Sequence, residues 1–229
     1  EDAVTCVAQT MQMGVPMARI EFMDPMAMRA INLQMGSDYR EEPHLMIEFH
    51  GSPGAVREDA ARFGEIAAEF GAQGFDWAAT PEDRARLWRM RHGAYRACLA
   101  LRPGATAVVT DVCVPMSHLP EAVAAAAADI RAEGLLGPMV GHVGDGNFHS
   151  QLLVMPGDAA ELASAKRVAT RMAERALAVG GTISGEHGIG IGKRALMPAQ
   201  HGEALGAMRA IKQALDPQGI MNPGKLIPD

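Results

Sequence analysis

Residues 142–149 read His-Val-Gly-Asp-Gly-Asn-Phe-His, and this segment constrains the fold more than any other part of the chain. An Asp-Gly pair flanked by apolar residues is the strongest short-range signal for a β-hairpin with a two-residue turn. If the Asp-Gly pair forms that turn, His142 lies directly opposite His149. Opposed residues share a face, with Cβ atoms about 4.5–5.5 Å apart. The segment therefore predicts two imidazoles close enough to share one cation.

A second segment, Ser-Gly-Glu-His-Gly-Ile-Gly at 184–190, carries a carboxylate and a further imidazole in a stretch too glycine-rich for regular structure. Glu186 added to the two histidines gives a His2Glu set, which binds zinc-like ions and keeps one position open. His187 would then be a free base beside the ion. Taken singly, each segment is equally consistent with a hydrogen-bonded core histidine or an ordinary turn, whereas the two together favour a reaction centre.

Composition excludes several classes of protein. The 229 residues are 48% hydrophobic and carry a net charge of −6, which argues against a nucleic-acid or anionic-membrane partner. No apolar run approaches the roughly 18 residues of a membrane span, and no signal peptide is visible. The three cysteines are far apart and read as reduced thiols. We expect a cytoplasmic protein, with peripheral association with a bacterial inner membrane left open.

Hydrophobic patterning predicts an α+β fold. Strands are predicted at 17–23, 45–50, 105–114, 138–155 (the hairpin) and 181–184, and helices at 55–71, 81–100, 117–133, 158–179 and 202–215. From residue 105 the order is that of a split βαβ unit, an antiparallel sheet with helices packed on one face. The first hundred residues read as a degenerate version of the same unit. The chain is thus predicted to be one domain of ferredoxin-like duplicated halves.

Together with Ile-Lys-Gln-Ala-Leu-Asp-Pro-Gln-Gly-Ile-Met-Asn-Pro-Gly-Lys-Leu at 211–226, the two segments resemble the C-terminal half of the FAD-linked oxidases of the vanillyl-alcohol oxidase type. Segments 15–24, 87–92 and 110–115 share the resemblance. Within this family the chain is most similar to cytochrome-linked D-lactate dehydrogenases, with D-2-hydroxyglutarate dehydrogenases and the glycolate oxidase flavin subunit as further relatives. The resemblance implies that residues 1–229 are the substrate-binding (cap) domain, of which 203–229 is a tail returning to a separate FAD-binding domain. The chain carries no glycine-rich dinucleotide fingerprint of its own.

The resemblance also implies an activity. It points to a dehydrogenase that oxidises a D-2-hydroxy acid to a 2-oxo acid with hydride transfer to FAD, and implies that this chain alone is inactive. It places a divalent metal, zinc or manganese, on His142, His149 and Glu186, and makes His187 the catalytic base. Arg91 matches the family arginine that pairs with the substrate carboxylate.

Further site residues follow from the same resemblance. Three of them are expected to contact the substrate: Tyr95, Asn147 and Gln151. Three in the tail are expected to lie close to the flavin: Asn222, Gly224 and Lys225. The D-2-hydroxyglutarate enzymes carry a threonine at position 95 and a lysine at position 109, where this chain has Tyr95 and Val109. Losing both polar partners of a second carboxylate favours a smaller monocarboxylate such as D-lactate.

Two other functions remain open at this stage. A stand-alone metallohydrolase would use the same His2Glu set with a metal-bound water, and would work without flavin. A noncatalytic ferredoxin-like binding module would be indifferent to loss of His142 or Glu186. For the dehydrogenase, the electron acceptor is left open between a cytochrome, a quinone and an electron-transfer flavoprotein.

Overall fold

A computed structural model of the chain describes residues 2–78 and 80–228. Within those ranges the helices are α1 (Asp2–Gln12), α2 (Pro25–Met35), α3 (Pro53–Glu69), α4 (Pro81–Ala100), α5 (Leu119–Ala132), α6 (Ala159–Ala178), α7 (Met197–His201) and α8 (Ala204–Leu215). The strands are β1 (Arg19–Met23), β2 (His44–Glu48), β3 (Thr106–Val109), β4 (Val112–Cys113), β5 (Met139–Gly141) and β6 (Asn147–Val154). All five predicted helices are present as α3, α4, α5, α6 and α8, whereas α1, α2 and α7 were not predicted.

The strands form one antiparallel sheet in the order β2-β1-β5-β6-β3, with β4 also paired to β6. The predicted α+β class and antiparallel sheet are therefore confirmed. From β3 onward the order follows the split βαβ unit, but the last predicted strand is reduced to a single bridge between Thr182 and Cys113. The first half differs in detail from the second, because β1 and β2 are direct neighbours in the sheet.

Helices cover both faces of the sheet. On β1, Ile20 and Phe22 point into a large core lined by α1, α3, α5 and α6, whereas Met23 points into a smaller core with α2 and α4. The predicted layer of helices on one face consists of α1, α3, α5 and α6. The structure adds a second layer, α2 and α4, on the opposite face. Val140 belongs to the smaller core and pairs with His149, which places His149 on the face covered by α2 and α4.

Local capping explains where the two helices of this second layer begin. The side chain of Asp24 accepts a hydrogen bond from the Ala27 N–H and is followed by a proline, and Thr80 does the same before α4. Both are N-cap residues with proline in the first turn, where its missing N–H costs nothing. The sequence signals at residue 80 predicted the start of α4 for this reason.

The connection between β5 and β6 differs from the predicted two-residue turn. Val140, not His142, lies opposite His149, and residues 142–146 form the connection through a 3-10 turn at Val143–Asp145. The reason is packing against the neighbouring strand. Gly146 adopts a left-handed φ of 75°, its carbonyl accepts from the Val114 N–H at 3.0 Å, and a Cβ there would lie 2.1 Å from the Val114 oxygen. This contact holds the chain in a wider loop.

No helix among the described residues has the length and apolar character needed to cross a membrane.

Candidate metal and catalytic site

Three side chains from separate parts of the fold converge beside the β5–β6 connection. His142, His149 and Glu186 each bring one potential ligand atom within 4.8 Å of the others. The Oε1 atom of Glu186 lies 2.9 Å from His149 Nε2 and 3.4 Å from His142 Nε2. The two imidazoles lie edge to face, with ring centroids 5.8 Å apart. The histidines thus converge although the strand register that predicted their proximity is wrong.

His142 leaves the end of β5 with one ring nitrogen already engaged. Its Nδ1 lies 2.7 Å from Oε1 of Glu21, a carboxylate on β1 that is 3% exposed. This hydrogen bond, with the charge of Glu21, raises the pKa of His142 despite its partial burial. Because Nδ1 is engaged, the ring turns Nε2 toward Glu186.

His149 lies on β6 and is 4% exposed. Neither of its ring nitrogens makes a hydrogen bond of acceptable geometry to another described residue, although Nε2 lies 2.9 Å from Glu186 Oε1. Burial, together with the neighbouring His187, lowers the pKa of His149, which favours the neutral ring. A buried, neutral imidazole without a hydrogen bond, facing a carboxylate, has the donor chemistry of a zinc or manganese ligand.

The 184–187 loop is fastened by Asp111, which follows β3 and is 1% exposed. Its carboxylate accepts from Ser184 Oγ at 2.7 Å and from the main-chain N–H groups of Glu186 and His187 at 3.1 and 2.8 Å. Burial opposes ionisation, but these donors, with Asn147 and Lys193, hold the pKa of Asp111 well below its usual range. The loop that carries the exposed carboxylate of Glu186 is therefore anchored on a buried charge.

His187 stacks on His149, with ring centroids 4.5 Å apart and planes 9° from parallel. Its side chain is 43% exposed, and its Nε2 lies 3.4 Å from Glu186 Oε1. Asp111, His149 and His187 form a second group of potential ligands within 4.8 Å. The group with Glu186 is the better cation site, because Glu186 is accessible whereas the Asp111 carboxylate is already occupied by hydrogen-bond donors.

Asn147 and Gln151 lie on β6 on the same face as His149. The Asn147 amide donates to Asp111 Oδ1 and to the Val112 carbonyl, both at 2.9 Å, so its amide nitrogen is engaged in holding the fold together. Gln151 is 3% exposed, and its Oε1 is buried without a hydrogen-bond partner among the described residues.

Arg91, on α4, points to Glu21 and so to the same cluster. Its Nε and Nη2 atoms lie 3.0 and 2.9 Å from Glu21 Oε2, and its side chain is 14% exposed. Tyr95, one helical turn further on, is 48% exposed. A cavity of about 420 Å³ lies beside this cluster, lined among others by Glu21, Arg91 and His142. A larger cavity of about 1330 Å³, beside β2 and α3, includes none of the potential metal ligands.

The C-terminal tail folds back on the segment that follows His187. The Leu226 N–H donates to the Gly190 carbonyl at 2.9 Å, and Arg194 donates to the Ile227 carbonyl. Ahead of this contact, Asn222 and Gly224 adopt left-handed φ angles of 47° and 71°, and the Lys225 N–H donates to the Asn222 carbonyl. The three tail residues expected near a flavin are thus exposed and tethered to the glycine-rich segment.

Sequence reasoning missed Glu21 and Asp111. Both stand in predicted strands, Glu21 in Arg-Ile-Glu-Phe-Met and Asp111 in Thr-Asp-Val-Cys-Val, where a carboxylate is ordinarily assigned to the solvent face. In the structure Arg91 of α4 contacts Glu21, and the 184–193 segment contacts Asp111. Their burial comes from tertiary contacts, so the sequence pattern carried no signal for it.

Comparison with known proteins identifies the family of the chain. Residues 1–226 match the family described as FAD linked oxidases, C-terminal domain. The chain is 44% identical over 99% of its length to a probable mitochondrial D-lactate dehydrogenase of Danio rerio, covering 46% of that protein. It is 40% identical over its full length to a mitochondrial D-lactate dehydrogenase [cytochrome] of Arabidopsis thaliana, covering 40% of it.

Two more distant matches extend the comparison. Glycolate oxidase subunit GlcD of Escherichia coli K12 is 32% identical over the whole chain, which covers 46% of that subunit. The chain thus spans less than half the length of these three curated relatives. The solved structure of 4-ethylphenol oxidase from Gulosibacter chungangensis superposes with a TM-score of 0.70 at 15% identity, covering 98% of this chain and 51% of that one. At that identity the likeness shows the fold alone.

Proposed function

Because the chain belongs to the FAD-linked oxidases, as their C-terminal domain, we propose that it is the substrate-binding domain of a flavin-dependent D-2-hydroxy-acid dehydrogenase. The reaction oxidises the hydroxy acid to its 2-oxo acid. The observation that carries the proposal is the convergence of His142, His149 and Glu186 next to an accessible His187. The relatives named as D-lactate dehydrogenases over the full chain support the same reaction class.

The proposed ligands of a divalent zinc or manganese ion are His142, His149 and Glu186. The fit rests on the chemistry of the donors, since His149 is buried and neutral with no hydrogen bond of its own. Three ligands leave room for substrate, as in catalytic rather than structural sites. When bound, such an ion lowers the pKa of a coordinated hydroxyl and orients the adjacent carboxylate.

His187 is the proposed catalytic base that accepts the proton of the substrate hydroxyl. It is exposed, lies beside the ligand cluster, and has its main-chain N–H fixed by Asp111. An imidazole takes up a proton at neutral pH without a large shift of its ordinary pKa. The stack on His149 fixes the plane of the ring. The chain thus supplies a base whose position is set before substrate arrives.

Arg91 is the proposed partner of the substrate carboxylate, and Tyr95, Asn147 and Gln151 are the proposed further contacts. Part of the Arg91 guanidinium is hydrogen-bonded to Glu21, so its remaining N–H groups would bind the carboxylate of the substrate. Tyr95 and Val109 offer no cation for a second carboxylate. We therefore favour a small monocarboxylate such as D-lactate.

The flavin would be held mainly by a separate FAD-binding domain, to which the 203–229 tail would return. We place Asn222, Gly224 and Lys225 beside it, because the tail is tethered next to the glycine-rich segment that follows His187. When bound, FAD supplies the acceptor for the substrate Cα hydrogen and its electron pair. A cytochrome, a quinone or an electron-transfer flavoprotein would then reoxidise it, in the cytoplasm or at the inner membrane.

The first experiment is the metal content of the purified chain, measured by elemental mass spectrometry. We expect close to one equivalent of zinc or manganese in the wild type, and its loss in the His142→Ala/His149→Ala double variant. The matched control is His50→Ala/His118→Ala, which removes two imidazoles outside the cluster and should retain the metal. A wild-type chain that binds no divalent metal would contradict the metal site.

Activity is tested on the complete protein, with its flavin-binding part present. We expect D-lactate to reduce the bound flavin, and the His142→Ala/His149→Ala variant to lose this reaction. Hydrolytic activity of the metal-loaded chain without flavin would instead support the metallohydrolase. Retention of flavin reduction in the double variant would contradict a metal-dependent mechanism.

A further inference from the structure

We propose that Glu21 is a positioning residue that couples the proposed metal site to the proposed substrate-carboxylate site. The inference rests on the function proposed above, and concerns how one buried carboxylate serves both His142 and Arg91.

The two oxygens of Glu21 are divided between two partners. Oε1 lies 2.7 Å from His142 Nδ1, and Oε2 lies 3.0 and 2.9 Å from Nε and Nη2 of Arg91. The Glu21 side chain is 4% exposed and that of Arg91 is 14% exposed. Water therefore has little access to replace either contact.

The contact with His142 fixes which nitrogen is available for a cation. With Nδ1–H donated to the carboxylate, the lone pair of a neutral His142 resides on Nε2, the nitrogen that faces Glu186. A carboxylate behind a histidine ligand orients the ring and increases its basicity, and its loss typically weakens metal binding by about 10–100-fold. By this chemistry Glu21 acts on the ion without touching it.

The contact with Arg91 gives the same carboxylate a second role. Glu21 occupies Nε and one Nη2 donor, which fixes the plane of the guanidinium and leaves the other terminal nitrogen for a substrate anion. An arriving carboxylate would compete with Glu21 for the positive charge of Arg91, so the substrate and the proposed ligand His142 would depend on the same buried acid.

A purely structural ion pair predicts something different. In that case Glu21 needs only Arg91 as a partner. Loss of the ion pair would then lower the stability of the fold and leave metal binding by His142 unchanged. Glu21→Gln separates the two cases, and Arg91→Met is its counterpart, because Glu21 then keeps its hydrogen bond to His142. Under the coupling proposal, Arg91→Met impairs substrate binding but not metal binding, whereas Glu21→Gln impairs both.

The test uses the complete protein with its flavin-binding part, and two readouts. Zinc and manganese affinities are measured by competition with a chromophoric chelator, and KM for D-lactate by flavin reduction. We expect Glu21→Gln to weaken metal binding about 10–100-fold and to raise KM, and Arg91→Met to raise KM with metal affinity within threefold of wild type. Glu48→Gln, the same change on the neighbouring strand β2, is the control and should match the wild type in both.

The outcomes separate the inference from the proposed function. A wild-type protein that binds no metal overturns the metal site itself, and the coupling with it. Wild-type metal binding that Glu21→Gln leaves unchanged overturns the coupling alone, as does equal metal loss in Glu21→Gln and Arg91→Met. If Glu21→Gln does not fold, Glu21→Asp, which keeps the charge but is one methylene shorter, is measured in the same way, and unchanged affinity there overturns the proposal.

Discussion

The carboxylate of Asp111 accepts a hydrogen bond from the main-chain N–H of His187 at 2.8 Å. This single contact joins the end of β3 to a loop that is more than seventy residues further along the chain. Together with the donors Ser184 and Glu186, it makes the position of the proposed base and of one proposed ligand depend on a buried acid.

Asp111→Asn is expected to destabilise the fold and loosen the 184–187 loop. The uncharged amide of asparagine loses charge-assisted hydrogen bonds worth about 1.5–3 kcal/mol each at neutral pH. Its NH2 group would also face the N–H of His187, so two donors would meet. Because the pKa of Asp111 is lowered in the folded state, its contribution is present above the unfolded pKa near 4 and is lost as pH falls through the folded pKa. Urea unfolding should show a difference from wild type that shrinks in strong acid. A constant difference at all pH values would contradict this.

Gly185→Ala should displace the loop that carries Glu186. A Cβ at this position would lie 1.9 Å from Asn147 Nδ2 and 3.1 Å from Asp111 Oδ1, so the backbone must shift. Overpacking of this kind costs about 1–3 kcal/mol, and we expect both the melting temperature and the bound metal to fall. Gly192→Ala, where nothing lies within 4 Å, is the matched control. Full metal content in Gly185→Ala would contradict the prediction.

His187→Gln separates a base from a ligand. Since His187 is outside the proposed ligand set, the variant should keep its metal, while kcat in the complete protein falls by about 10²–10⁴-fold, the range typical of a lost general base. Elemental analysis and single-turnover flavin reduction measure the two quantities. Loss of the metal in this variant would instead indicate the second ligand group, formed by Asp111, His149 and His187.

Asp24→Asn should stabilise the protein at neutral pH. Burial raises the pKa of Asp24 to about 6 in spite of its hydrogen bonds to main-chain N–H groups. Because the folded pKa lies above the unfolded value, wild-type stability falls as pH rises from about 4 to 6, and the ionised group is unfavourable above that. Asparagine caps a helix about as well without a charge, so the variant should gain up to about 3 kcal/mol at pH 7.

The gain in Asp24→Asn should vanish below pH 4, where the wild-type carboxyl is protonated in both states. Chemical denaturation at pH 3.5, 5 and 7 checks this, and a gain of equal size at all three would show that the charge of Asp24 is not its cause.

The sequence predicted the class of fold and the helices with strong periodicity or capping signals, such as α4 after Thr80. It did not predict α1, α2 or α7, nor the register of β5 and β6. An Asp-Gly pair favours a tight turn locally, but the close approach of Gly146 to Val114 is a tertiary contact that no local pattern contains. The same limit applies to Glu21, whose partner Arg91 comes from α4, and to Asp111, whose partners come from the 184–193 segment.

The site draws on residues 21, 91, 111, 142, 149 and 186, which come from nearly the whole length of the chain. Contacts of such sequence separation form only after long stretches of chain have been closed into place. An unfolded or half-assembled chain therefore has no preformed coordination sphere. Selective capture of an ion at the proposed site would report that the sheet and both helical layers are complete. Loading of the proposed metal would then come at the end of folding, and it would slow the unfolding of the finished protein.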